Sequence, residues 1–138
     1  MVVRNLLLDT NAYAAFKRGA EDAIEIIRHA PRIGISVVVL GELLAGFAAG
    51  TREATNRREL QQFLRSDRVI LLTVDGDTSE RYSVVYLNLR RKGRPIPTND
   101  LWIAASALQH DLAVFSYDDH FQHVDGIFAG QQLKDFLL

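Results

Sequence analysis

The strongest constraint on the fold is a short apolar segment near the start of the chain that ends at an acidic residue. Three leucines at 6–8 are followed directly by Asp9, Thr10 and Asn11. Short runs of large apolar residues are typical of buried strands in a parallel sheet. Because open α/β sheets bind ligands beyond the carboxyl ends of their strands, Asp9 is a candidate for chemistry. The competing interpretation is that Asp9 or Thr10 only caps the helix that follows.

The pattern of a short apolar strand followed by a helical segment recurs along the chain. We predict strands at 6–8, 33–36, 69–74, 112–116 and 127–128. Apolar periodicity and Pro or Gly stops predict helices at 12–18, 20–30, 37–50, 51–67, 77–92 and 101–109, with a capping box at 77–80. Strands that alternate with helices indicate a parallel α/β sandwich. With 138 residues and no linker, we expect residues 1–138 to form a single domain.

Composition and charge narrow the chemistry. The chain contains no cysteine, which excludes disulfides, thiolate nucleophiles and Cys-based zinc sites, and agrees with a cytoplasmic location. We expect no signal peptide and no membrane span, because the longest nearly apolar run, 35–50, is shorter than the roughly 20 residues that a span needs. The net charge is −1, so a nucleic-acid partner requires a local basic patch.

Glu42 lies in an unusually apolar segment for a carboxylate. It is the only charged residue between Arg32 and Arg52, and its neighbours are apolar or small. A carboxylate in such surroundings costs several kcal/mol unless it is paired or binds a cation. The competing interpretation is an edge position from which Glu42 reaches water or an arginine.

Three further acids sit where a helix begins or a strand ends. Asp100 falls in the first turn of an apolar helix, where the helix dipole alone favours a negative charge and where Thr98 is an ordinary cap. Asp118 and Asp119 follow the fourth predicted strand, and a solvated turn explains either of them singly. Taken one at a time, these acids carry little information.

Together the acids predict a metal site. In a parallel sheet the regions around Asp9, Glu42, Asp100 and Asp118 can meet at one edge, and carboxylates packed together cannot all ionise without a counter-charge. Hard oxygen ligands select Mg²⁺ or Mn²⁺. One such ion, or two ions about 4 Å apart, can activate water and stabilise the leaving oxygen of a phosphodiester.

These residues resemble the PIN domain family, and most closely its VapC-type bacterial toxins. The similar segments are Leu-Asp-Thr-Asn at 8–11, the stretch from Ser36 to Leu43 that contains Glu42, Ile-Pro-Thr-Asn-Asp-Leu-Trp-Ile-Ala-Ala at 96–105, and Ser-Tyr-Asp-Asp-His-Phe at 116–121. Their order and rough spacing match along nearly the whole chain. The resemblance implies a three-layer α/β/α sandwich around a parallel sheet of four to five strands, and a metal-dependent ribonuclease.

The resemblance also implies roles for individual residues. The implied catalytic and metal-binding acids are Asp9, Glu42, Asp100 and Asp118. Residues matching positions that orient those acids are Thr10, Asn11 and Ser116. Asp119 is adjacent to Asp118, so which of the two faces the metal stays open, although Asp118 fits the motif better.

Partners follow from the resemblance as well. It implies an RNA substrate, a homodimer, and a VapB-like antitoxin that covers the active site and alone contacts DNA. The segments 43–50 and 51–68 are candidate partner surfaces, against the alternative that they are core helix and solvated face. A separate basic cluster is our candidate RNA-binding patch, with helix capping as its alternative: Arg90, Arg91, Lys92 and Arg94.

Two other functions compete with the nuclease. A PIN-like module that binds RNA without cutting it would typically have lost one or more acids, and all are present here. A haloacid-dehalogenase-like phosphatase also begins from an Asp after its first strand. It requires a second Asp where this chain has Asn11, and a later lysine, yet no lysine occurs between Lys17 and Lys92.

Overall fold

Five short parallel strands form the centre of the protein. The computed structural model describes residues Met1–Leu138. The strands are β1 (Leu6–Leu8), β2 (Ile33–Ser36), β3 (Val69–Leu72), β4 (Ala113–Phe115) and β5 (Ala129–Gly130). Their order across the sheet is β3-β2-β1-β4-β5, and every pairing is parallel. This confirms the predicted α/β fold with a central parallel sheet.

Six α-helices connect and cover these strands. They are α1 (Thr10–Lys17), α2 (Glu21–His29), α3 (Val37–Ala49), α4 (Glu53–Leu64), α5 (Gly76–Arg91) and α6 (Thr98–His110). All three residues of β1 are fully buried, although successive side chains of a strand point to opposite faces. Both faces of the sheet are therefore covered at its centre, as a sandwich requires. None of the helices is both long enough and apolar enough to cross a membrane.

Two local predictions were wrong. The fifth strand lies at Ala129–Gly130 instead of 127–128, because Ala129 pairs with Val114 of β4 while Phe128, 58% exposed, lies under the Arg4 guanidinium. The cap of α5 is Asp75 instead of Asp77: its carboxylate accepts from the Thr78 backbone N–H at 3.1 Å, and the Thr78 hydroxyl lies 3.1 Å from the Asp75 N–H. The other helices and strands lie where they were predicted, within a few residues at their ends.

Two helices begin directly at the ends of central strands, without a connecting loop. Asp9 directly follows β1 and caps α1. Ser36 is both the last residue of β2 and the cap of α3, where its hydroxyl accepts from the Val39 N–H at 3.2 Å. Because β1 and β2 are neighbours in the sheet, the first turns of α1 and α3 lie side by side at its carboxyl edge. This arrangement sets the position of the site described next.

Candidate active site

The predicted acids lie at the carboxyl edge of the sheet, around the neighbouring strands β1 and β4. Leu8 at the end of β1 is paired with Phe115 at the end of β4. The pairing continues one step further, because the Asp9 backbone N–H donates to the Phe115 carbonyl at 3.0 Å. Asp9 and the segment that follows Phe115 are thereby held side by side.

Asp9 is both a helix cap and a buried acid of the site. The residue is only 4% exposed. One carboxylate oxygen accepts from the Thr10 backbone N–H at 2.8 Å, and the other accepts from the Ser116 hydroxyl at 2.6 Å. The two interpretations offered by the sequence are thus compatible, since capping fixes the carboxylate in the orientation that the site uses.

Ser116 and Asn11 tie the acids to the turn after β4. While donating to Asp9, the Ser116 hydroxyl accepts from the Asp118 backbone N–H at 3.0 Å and lies 3.4 Å from the Asn11 amide nitrogen. The Asn11 side-chain carbonyl accepts from the Tyr117 N–H at 3.0 Å. Both residues therefore fix the direction of the chain at Asp118.

Glu42 reaches the same site from the second turn of α3. One of its oxygens accepts from the Thr10 hydroxyl at 2.7 Å, and the other accepts from the Asn99 side-chain amide at 3.3 Å. Both donors are neutral and belong to the site, so the alternative of an arginine partner does not apply. Asn99 was not predicted from the sequence, although it is the residue directly before Asp100.

Asp100 and Asp118 form a closer group with a histidine. Asp100 is 8% exposed, and the Nδ1 atom of His120 lies 2.6 Å from its Oδ2 atom. Ligand atoms of Asp100, Asp118 and His120 all lie within 4.8 Å of one another. His120 was not predicted as a site residue from the sequence.

Asp118 and Asp119 have different surroundings. The Asp118 carboxylate is exposed and belongs to the group with Asp100 and His120. The Asp119 carboxylate accepts from the Gln131 side-chain amide at 3.1 Å. The geometry favours Asp118 as the fourth acid of the site.

Burial and mutual repulsion disfavour the ionised form of the two most enclosed acids. Burial raises the pKa of Asp9, and the charges of Asp100 and Glu42 raise it further, against the hydrogen bonds from Ser116 and Thr10. Burial also raises the pKa of Asp100, against the contact with His120, and the charges of Asp118 and Glu42 add to the increase. The site therefore carries more negative charge than its protein surroundings stabilise.

The residues present fit a hard divalent cation. Every carboxylate in the site supplies oxygen, none belongs to an ion pair with lysine or arginine, and Asp118 accepts no hydrogen bond from the protein. A cation bound among these oxygens would offset the repulsion that raises the pKa of Asp9 and Asp100. Mg²⁺ and Mn²⁺ are the cations that such a donor set suits.

The raised pKa values predict how stability depends on pH in metal-free buffer. At neutral pH the folded protein must keep Asp9 and Asp100 ionised in unfavourable surroundings, whereas the unfolded chain does so freely. The free energy of unfolding should therefore rise as the pH falls from neutral through these raised pKa values, down to the ordinary aspartate pKa of about 4. Denaturant unfolding at a series of pH values measures this gain.

A variant and added Mg²⁺ test whether the acids of the site cause this gain in the free energy of unfolding. The exposed acids Asp75 and Asp125 have lowered pKa values, so their contribution is lost only as the pH falls below the ordinary aspartate pKa, outside this window. We expect Asp9→Asn to reduce the gain, and saturating Mg²⁺ to remove it. An equal gain in wild type, in the variant and with Mg²⁺ would place its origin elsewhere in the protein.

The four basic residues predicted to bind RNA have separate environments. Lys92 pairs with Asp125, and Arg90 donates to the Tyr86 hydroxyl at 3.2 Å. Arg91 is exposed. Arg94 lines the same groove as His120, and its guanidinium lies 3.5 Å from the His123 ring.

Sequence and structure comparisons with known proteins all find relatives of one kind. The family model described as PIN domain matches residues 6–127. Ribonuclease VapC4 of Mycobacterium tuberculosis is 30% identical over 121 residues, covering 88% of this chain and 92% of that protein. Ribonuclease VapC5 of the same organism is 31% identical over 120 residues, covering 87% of each. The crystal structure of DNA-bound VapBC from Salmonella typhimurium superposes with a TM-score of 0.79 at 26% identity, covering 94% of this chain and 98% of that one.

Proposed function

This chain belongs to the PIN domain family, and from that premise we propose that it is a metal-dependent endoribonuclease and the toxin of a toxin–antitoxin pair. The observation that carries the proposal is the set of four carboxylates at the carboxyl edge of the sheet. Residues 1–138 act as one nuclease domain, and its work on cellular RNA implies a cytoplasmic location. Two relatives with about a third of their residues in common with this chain are named ribonucleases, which supports the reaction class.

The proposed metal ligands are Asp9, Glu42, Asp100 and Asp118, with Mg²⁺ or Mn²⁺ as the cofactor. A bound ion of this kind activates water and stabilises charge on the oxygens of a phosphodiester. The chain's own groups hold the ligands in place: Ser116 orients Asp9, and Thr10 with Asn99 orients Glu42. His120 holds Asp100 and is a positioning residue in this scheme. The expected products carry a 5′-phosphate and a 3′-hydroxyl.

We further propose a VapB-like antitoxin as protein partner, with DNA contacted only through the antitoxin. The Salmonella structure is of a DNA-bound VapBC complex. A groove of about 200 Å³ between α1, α3 and α4 has Tyr13, Leu43 and Phe47 among its walls, so it presents apolar surface beside Lys17 and Glu59. The candidate partner segments 43–50 and 51–68 form one side of this groove, and α1 forms the other. The proposed assembly of the toxin itself is a homodimer.

Cleavage of RNA by the purified protein tests the proposed reaction. We expect single-stranded and stem-loop RNA to be cut with Mg²⁺ or Mn²⁺, and cleavage to stop in EDTA and resume when either ion is restored. Sequencing of the 5′ ends gives the sites and the end chemistry. If neither ion supports cleavage and Asp9→Asn has no effect in cells, the chain is a non-catalytic RNA-binding module.

Parallel substitution of the two adjacent acids tests the ligand set. Asp118→Asn removes a charge from the group with Asp100 and His120, so we expect at least about a hundredfold loss of kcat/KM, which corresponds to about 3 kcal/mol of transition-state stabilisation. Asp119→Asn should keep cleavage within about tenfold of wild type, because that carboxylate bonds with Gln131. The reverse ranking would make Asp119 the fourth acid.

A further inference from the structure

A second groove, which contains one arginine, lies beside the acidic site. It has a volume of about 280 Å³, and its walls include Arg94, Ile96, Asp119, His120 and His123. His120 belongs to both places, since it lines this groove while its Nδ1 atom contacts Asp100. A molecule in the groove therefore lies against the same ring that contacts Asp100.

Arg94 is the cation in this groove that is available for an anion. Its guanidinium lies 3.5 Å from the His123 ring and forms no ion pair with a carboxylate. Lys92, by contrast, is paired with Asp125 and donates to the His123 carbonyl at 2.9 Å. Asp119 is the acid in the groove wall, and its carboxylate already accepts a hydrogen bond from Gln131.

The backbone that carries Arg94 is fixed. The chain leaves α5 through Gly93, whose φ of +67° is the left-handed conformation that favours glycine. The Arg94 N–H then donates to the Leu89 carbonyl at 2.9 Å, and Pro95 restricts the next step. The backbone position of Arg94 beside the site is therefore preset, and a bound ligand has only to order its exposed side chain.

We infer that this groove binds a backbone phosphate of the RNA strand next to the phosphate that is cut, with Arg94 as the main contact. The inference rests on the proposed nuclease function. A chain of net charge −1 does not attract RNA through its overall field, and the acids repel phosphate. Arg94 beside His120 offsets that repulsion at one phosphate and sets the register of the strand over the acids. Of the four basic residues, only Arg94 lines this groove. RNA contacts by Arg90, Arg91 and Lys92 stay predictions.

Binding of single-stranded RNA in Ca²⁺, with wild-type cleavage in Mg²⁺ measured alongside, tests the inference. Arg94→Ala should weaken RNA binding by about tenfold, the effect of losing one hydrogen-bonded charge pair. It should also reduce the slope of log affinity against log salt by about 0.7, the value for one phosphate contact on a single strand. The matched control is Arg81→Ala on α5, because Arg81 is exposed, contacts neither site and should leave affinity and slope unchanged.

Oligonucleotides that each carry one uncharged methylphosphonate linkage locate the contact. We expect one position, adjacent to the cleavage site, at which the neutral linkage weakens binding by wild type but causes no further loss with Arg94→Ala. The inference is wrong if, at every position, the neutral linkage and Arg94→Ala weaken RNA binding additively. It is also wrong if Arg94→Ala leaves the affinity and the salt slope unchanged while wild type still cuts RNA. Either result leaves the nuclease proposal standing. Weakened antitoxin binding with unchanged RNA binding would assign the groove to the protein partner instead. Absence of both RNA binding and cleavage in wild type would overturn the proposed function itself.

Discussion

Asp9→Asn should abolish most of the metal-dependent RNA cleavage while the protein stays folded. The substitution removes one negative charge from the centre of the acidic site and keeps the size of the side chain. Loss of about 4 kcal/mol of charge stabilisation corresponds to about a thousandfold lower kcat/KM. An asparagine at this position can still accept from the Thr10 N–H, so α1 remains capped. Cleavage of a labelled RNA in Mg²⁺, compared at equal concentrations of folded protein, measures the effect.

The exposed Asp67 provides the matched control. Asp67→Asn makes the same chemical change on the surface, away from the carboxyl edge, and should leave cleavage unchanged. In metal-free buffer at neutral pH, Asp9→Asn should in addition raise the free energy of unfolding, because it removes the charge that burial and neighbouring acids disfavour. If the variant keeps more than about a tenth of wild-type cleavage, Asp9 is only a helix cap in this protein.

The course of the chain was predictable because its strands are buried on both faces. Such strands appear in the sequence as uninterrupted apolar runs, and Leu6–Leu8 and Ala113–Phe115 were located correctly on that basis. The last strand has only the residues Ala129 and Gly130, which carry no strand propensity. Its position depends on pairing with β4, and pairing is not visible in local composition. The cap of α5 was missed for a similar reason, since Asp75 and Asp77 both precede Thr78 and the sequence alone does not choose between them.

The acids of the site were predictable because charge is unusual beside buried strands and in apolar helices. Their partners were harder to find. Asn99 and His120 are ordinary polar residues near helix starts, and nothing in their own surroundings marks them. Each is a close sequence neighbour of an acid, Asp100 and Asp118 respectively, and each crosses to a different acid in space. A search for amide and imidazole donors within two residues of each predicted acid would have found both.

Phe115→Ala should lower the free energy of unfolding by about 3–5 kcal/mol, the typical cost of truncating a buried aromatic residue. Phe115 is fully buried at the end of β4, and its ring contacts Phe136 and Tyr117 edge to face at centroid distances of 5.6 and 5.5 Å. Loss of this ring leaves a cavity directly beneath the carboxyl edge. Such a loss is a large share of the roughly 5–15 kcal/mol that stabilises an ordinary domain. Urea unfolding of wild type and variant gives the difference.

The backbone role of Phe115 differs from the role of its ring. The carbonyl that accepts from the Asp9 N–H remains in Phe115→Ala, so the folded variant should still cut RNA at low temperature despite its lower stability. Phe128→Ala is the matched control, because Phe128 is 58% exposed and its stacking under the Arg4 guanidinium is worth about 1 kcal/mol. If both variants lose the same free energy of unfolding, the Phe115 ring does not stabilise the protein by its packing around β4. A folded Phe115→Ala protein without cleavage would mean that the ring, and not the strand pairing alone, holds Asp9 and Ser116 in register.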